Sequence, residues 1–138
     1  MKHLFVDTNV LLDLLAQREP FSTAARELFE AAARKSTRLY VSGLSFSHID
    51  YALRKIIAAP ERLEKMTKLA ELVEIIPLTR PVIEAALVLG FTDFEDGLQY
   101  CAARSVPAIE ALVTRDPKGF VAGTLPVLTP TAALVRLA

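Results

Sequence analysis

The sequence predicts a three-layer α/β/α sandwich around a mostly parallel central sheet of about five strands. Three observations lead there. Short apolar runs of strand length alternate with longer segments of helical period. Strands separated by helices need crossover connections, which pair them in parallel and cover both faces of the sheet. The 138 residues suit a single domain, 1–138, with no internal repeat, low-complexity tract or linker.

The first strand is "HLFVD", His3 to Asp7, and the helix after it repeats apolar residues at Val10, Leu11, Leu14 and Leu15. "FSTAARELFEAAARK" predicts a second helix, with Ser22 as N-cap and basic residues in the last turn. "RLYVS", Arg38 to Ser42, is the second strand. "SFSHIDYALRKII" follows as a helix whose inward stripe is Phe46, Ile49, Leu53 and either Ile56 or Ile57. Pro60 opens the next helix, "PERLEKMTKLAELV", in the first-turn position proline favours.

"VEIIPL", Val73 to Leu78, is the third strand, and a helix from Pro81 to Leu89 stops at Gly90. A helix from Asp93 to about Arg104 is anchored to the core by Phe94, Leu98, Cys101 and Ala102. "ALVTRD", Ala111 to Asp116, and "LPVLT", Leu125 to Thr129, complete the strands, and a helix from Pro130 to Leu137 closes the chain.

Composition narrows the function. Hydrophobic residues make up 52% of the chain and charged ones 23%, which fills a core and excludes a disordered chain. Sixteen basic residues balance sixteen acidic ones, against the basic excess of a protein that coats nucleic acid nonspecifically. Cys101 is the single cysteine, so neither an intramolecular disulfide nor a thiolate zinc site is available. The basic, apolar start resembles a signal peptide, but Asp7 and Asp13 interrupt it and no small-residue cleavage site follows. With no apolar run long enough to span a bilayer, the expectation is a cytoplasmic protein.

Carboxylates carry the chemical signal. Asp7 ends the first strand, Asp116 follows "ALVT", and Asp93 and Asp96 lie three residues apart in the first turn of one helix. Ligands of open parallel sheets bind beyond the carboxyl ends of the strands, where these segments meet. Such a cluster needs a cation to stay ionised, and hard oxygen donors suit Mg²⁺ or Mn²⁺. Each residue also has a structural explanation. Acidic residues favour helix N-termini, Thr92 and Glu95 have capping-box spacing, Asp7 can cap the helix after it, and Asp116 before Pro117 can open a turn.

Four motifs in order, "FVDTNVLLDLL", "SGLSFSHIDYALRK", "DFEDGLQYCAA" and "LVTRDPKGF", resemble those of PIN-domain ribonucleases, most closely VapC-like bacterial toxins. The resemblance runs over essentially the whole chain. It implies a Mg²⁺- or Mn²⁺-dependent ribonuclease leaving 5′-phosphate and 3′-hydroxyl ends. Asp7, Asp96 and Asp116 match the metal-binding positions. Asp93 is an additional acidic residue, as auxiliary ligand or support. Asn9 and Thr114 are expected to orient the carboxylates by hydrogen bonds. Arg115 and Lys118, flanking Asp116, are the best placed of the basic residues to contact phosphate. The resemblance further implies a homodimer and a small antitoxin partner that occludes the site.

This chain departs from the family pattern in two places. The second motif usually supplies a Glu, and His48 stands there; Asp50, two residues on, points elsewhere. His48 as a metal ligand, a phosphate-positioning group or a bystander are all open readings. Gly119 stands where an acidic residue often precedes the Phe. The alternative to a nuclease is therefore a catalytically weak or inactive PIN-like module that binds RNA or a partner protein. A haloacid-dehalogenase-like phosphatase also begins strand-then-Asp, but needs a second Asp where this chain has Asn9.

Overall fold

The computed structural model describes residues 1–120 and 123–138. Its first half runs β1 (Lys2–Val6), α1 (Thr8–Leu15), α2 (Ser22–Ala33), β2 (Thr37–Ser42), α3 (Gly43–Leu53) and α4 (Ala59–Leu72). The second half runs β3 (Glu74–Ile76), α5 (Arg80–Leu89), α6 (Phe94–Arg104), β4 (Ala111–Val113), β5 (Val127–Leu128) and α7 (Pro130–Leu137). A 3₁₀ turn, Pro117–Phe120, lies between the last two strands.

All five strands pair in parallel, in the order β3-β2-β1-β4-β5. Strand residues alternate between two cores, as period-two geometry requires. Leu4, Val6, Leu39, Val41, Ala111 and Val113 face a layer containing α1, α2, α3, α4 and α7. Phe5, Tyr40 and Leu112 face the opposite layer, of α5 and α6. Both faces are covered, so the strands read as continuous apolar runs. β1 and β4 are neighbours, although the chain leaves β1 toward β2 and leaves β4 toward β5. Their carboxyl ends therefore flank the switch point, the crevice where open α/β sheets hold ligands.

Several boundaries differ from the sequence expectation, each for a local reason. Ser22 is the first residue of α2 rather than its cap, because its hydroxyl donates to the Glu19 carboxylate. Arg34 and Lys35 follow α2 instead of filling its last turn. α3 ends at Leu53, which leaves Ile56 exposed while Ile57 packs on the core. β3 stops before Pro77, which has no N–H for the ladder. Phe94 opens α6 with its side chain 45% exposed, so Leu98, Cys101 and Ala102 anchor that helix without it. Gly90 ends α5 at φ 75°, the left-handed C-cap that glycine accommodates without strain. Among the described residues no helix is long and apolar enough to cross a membrane.

Candidate active site

The site begins at the switch point, where "DTN" after β1 is stitched to "TRD" after β4. Asp7 is 8% exposed. Its Oδ1 caps α1 by accepting the Thr8 N–H at 2.8 Å, and its Oδ2 accepts the Thr114 hydroxyl at 2.9 Å. Thr114 in turn accepts from Asn9 Nδ2 at 3.1 Å and from the Asp116 N–H at 3.2 Å. Asn9 Oδ1 accepts the Arg115 N–H at 3.2 Å. Thr114 thus touches Asp7 directly, whereas Asn9 acts on it through Thr114. Just past β4 the Thr114 N–H still donates to the Leu128 carbonyl of β5 at 2.9 Å, and the ladder gives way at Arg115 and Asp116, whose N–H groups turn to the Asn9 and Thr114 side chains.

α6 brings the other carboxylates. Its N-cap is Asp93, whose Oδ1 accepts the Glu95 and Asp96 N–H groups at 2.8 and 3.2 Å. This replaces the expected Thr92–Glu95 capping box, because Asp93 reaches the free amides from one residue later. Glu95 reaches across to α3 instead, where its Oε2 lies 3.0 Å from His48 Nε2. Asp96 points inward beside the 3₁₀ turn. A Cβ on Gly119 would stand 2.6 Å from Asp96 Oδ2, so glycine there leaves room for the carboxylate.

A cavity of about 340 Å³ joins these groups, with Asp7, Asn9, His48, Glu95, Asp96 and Arg115 in its wall. Its electrostatics are those of crowded anions. Burial pushes Asp96 up to about 6, with Asp93, Asp7, Asp116 and Glu95 adding to the shift. Asp7 is also raised, mainly by burial; the Thr114 and Thr8 hydrogen bonds oppose this, while Asp116 and Asp93 add to it. The all-oxygen donor set and the unbalanced negative charge fit a hard divalent cation. Among the described residues, however, no three acidic, histidine or cysteine side chains are already gathered closely enough to hold one. Asp7 is fixed by its hydrogen bonds, so an ion would have to draw Asp96 and the exposed Asp116 toward it.

Arg115 lies in the cavity wall but is already engaged. Its Nε donates to Asp13 Oδ2 at 2.6 Å, and its guanidinium sits 4.0 Å from the Phe21 ring centroid. Lys118 is exposed on the 3₁₀ turn. Two features were missed by reading the sequence. Asp13, 1% exposed, faces both Arg115 and Arg18; a lone Asp inside an apolar helix was the available signal. Gln99, 2% exposed, takes the Ser42 hydroxyl at 2.5 Å and donates to Thr8 and Ser45 at 2.9 and 3.1 Å. An amide among the apolar residues of α6 was its signal. This network ties together the segments that carry Asp7, His48 and Asp96.

Comparison with known proteins agrees with this architecture. A toxin–antitoxin complex from Klebsiella pneumoniae contains a chain that aligns with TM-score 0.69 and 21% identity, covering 92% of this chain and 97% of that one. VapBC2 of Rickettsia felis, bound to a DNA fragment from its promoter, aligns at TM-score 0.67 and 17% identity, covering 91% and 96%. VapC20 of Mycobacterium tuberculosis, a sarcin–ricin-loop-cleaving toxin, aligns at TM-score 0.69 and 18% identity, covering 87% and 95%. At these identities the likeness is one of fold. No curated protein matches the chain. The family model for the PIN domain matches residues 3–118, a span that takes in β1, β4 and all of the carboxylates above. With that match over most of its length, the chain belongs to the PIN-domain family.

Proposed function

We propose that this protein is a Mg²⁺- or Mn²⁺-dependent endoribonuclease that hydrolyses RNA phosphodiester bonds, acting as the toxin of a toxin–antitoxin pair. The observation that carries this reading is that Asp7 and Asp96 share the wall of one cavity at the switch point, with Asp93 capping the helix that bears Asp96 and Asp116 just before the 3₁₀ turn that abuts it. Asp7, Asp96 and Asp116 are the residues to hold the metal, and Asp93 assists from the helix cap. When bound, the divalent ion supplies charge stabilisation at the scissile phosphate and acidifies the attacking water. Thr114 holds the Asp7 carboxylate in place, and Asn9 holds Thr114. Arg115 and Lys118 offer positive charge to the substrate backbone.

The partners follow from the same reading. Structures with this fold include toxin–antitoxin complexes, which supports an antitoxin for this chain. Ile83, Leu87 and Val88 on α5 are 39%, 66% and 86% exposed, a small apolar face that supports a homodimer. A single domain acting in the cytoplasm completes the proposal.

The test is RNA cleavage with Mg²⁺ or Mn²⁺ by wild type beside Asp7→Asn and Asp96→Asn. Wild type should cut, and each variant should lose 10²-fold or more, as expected on removing a charge-stabilising group. If wild type cuts no RNA with either metal and its expression leaves growth untouched, the nuclease reading fails. One observation favours the rival, a PIN-like module that binds without cleaving. His48 occupies the Glu position of the family and is engaged by Glu95. On that reading wild type binds RNA without cutting it in either metal, and Asp96→Asn binds as wild type does.

A further inference from the structure

Arg115 separates two hollows. One is the carboxylate cavity. The other, of about 480 Å³, is walled by Pro20, Phe21, Thr129 and Pro130 together with Arg115 itself. Phe21 is 41% exposed and lies under the Arg115 guanidinium. The buried Asp13 fixes this arrangement. Its Oδ2 takes Arg115 Nε at 2.6 Å, and its Oδ1 stands 3.3 Å from Arg18 Nε without a hydrogen bond among the described residues. One carboxylate therefore faces two guanidinium groups, and a positive charge is left over. Both arginines also reach the wall of the carboxylate cavity.

We propose that the second hollow is a subsite for the nucleotide next to the scissile phosphate of a single-stranded RNA. Arg18 and Arg115 take that nucleotide's phosphate, and its base stacks at the Phe21–Arg115 pair. The identity of the ligand rests on the ribonuclease reading above. Three physical points support the assignment. Planar guanidinium groups bind phosphate well, and anchoring them on a buried carboxylate removes much of the entropy cost of ordering them. Unstacked RNA bases are held on aromatic and arginine planes. Arg115 borders both hollows, so they lie next to one another on either side of its side chain. A lone exposed Phe needs no explanation. A Phe beneath an anchored arginine that itself borders the carboxylate cavity has a specific use.

The probe is a set of fluorescein-labelled single-stranded hexaribonucleotides of mixed sequence, intact or with one abasic position placed in turn along the strand. Binding is read by anisotropy in EDTA, which suspends metal-dependent cleavage. Phe21→Ala should weaken binding of the intact strand about tenfold, the scale of one lost stacking contact. Phe21→Trp should restore it. One abasic position should weaken wild type by a similar factor and leave Phe21→Ala unchanged. Arg18→Gln should weaken every strand and lower the log-log salt slope by about 0.7, as for one phosphate contact to a single strand. Phe21→Leu keeps apolar volume without an aromatic face. It should retain the thermal midpoint of wild type yet bind as weakly as Phe21→Ala.

If Phe21→Leu and Arg18→Gln bind all strands as wild type does, the subsite is overturned, whether or not wild type cleaves RNA with Mg²⁺. If the coupling between Phe21 and one abasic position is present while wild type cuts no RNA with either metal and its expression leaves growth untouched, the subsite stands and the nuclease reading falls.

Discussion

Asp96 carries the most testable chemistry of any single residue. Its carboxyl is raised to about 6, above the ordinary 3.8, so the folded chain holds that proton more tightly than the unfolded one. Without metal, the stability this proton confers is complete below about pH 4 and is lost as pH rises through 6. Asp96→Asn should remove the effect. In EDTA its thermal midpoint should exceed that of wild type by a few degrees at pH 7. At pH 4 the two should coincide. Calorimetry at both values checks the sign, and a wild-type midpoint at or above the variant's at pH 7 refutes it.

Gly119 bears on the same carboxylate by a different route. An added Cβ would meet the tip of the Asp96 side chain, which can swing away, rather than rigid backbone. Gly119→Ala should therefore change folding stability by less than about 1 kcal/mol. It should weaken Mn²⁺ binding by about tenfold, because the displaced carboxylate is a proposed ligand. Urea unfolding and calorimetric metal titration separate the two effects. Glycine at this position was legible in the sequence only as a missing acidic residue. Its steric meaning appears once the 3₁₀ turn is seen against α6.

At the scale of elements, α6 combines a structural and a chemical duty at one end. Asp93→Ala removes the side-chain cap and should cost about 1 kcal/mol, whereas Asp93→Asn keeps an acceptor and should cost little. The pair also tests Asp93 as a ligand. If Asp93→Asn folds as stably as wild type but loses cleavage, its charge acts on the metal; if cleavage is unchanged, Asp93 is only a cap. Further along the same helix, Gln99 bridges β2, α1 and α3 through Ser42, Thr8 and Ser45. Gln99→Leu leaves those buried hydroxyls with fewer partners and should destabilise by about 1–3 kcal/mol. Chemical denaturation measures this loss. A neutral result would mean that the hydroxyls satisfy one another, starting from the 2.8 Å contact between Thr8 and Ser45.

For the molecule as a whole, the expected behaviour is linkage between metal, protons and folding. Mg²⁺ or Mn²⁺ that binds the native state alone should raise the thermal midpoint in proportion to the logarithm of its concentration. The effect should be larger at pH 7 than at pH 5, since protons compete for Asp96 below about 6. A midpoint independent of both metals at pH 7 would argue against a metal site at the switch point. Asp50 acts in the opposite pH direction. It is lowered mainly by hydrogen bonds from Arg62 and Arg54, so its small contribution is lost on acidification.

The sequence by itself determined the alternation of strands and helices, the α/β/α layering and the placing of Asp7 directly after the first strand. These are recorded locally, in apolar period and in the polar residues that stop it. Asp116, by contrast, lies three residues beyond β4 rather than at its end. Tertiary structure decided the pairings. Asp13 meets an arginine 102 residues away, and Gln99 meets a serine 57 residues away. Asp93 displaces Thr92 as the cap, leaving Glu95 to meet His48 across α3. No window along the chain contains such partners, because the crossovers and the strand order bring them together. Periodicity specifies which face of an element is buried, and only the packed sheet specifies what that face meets.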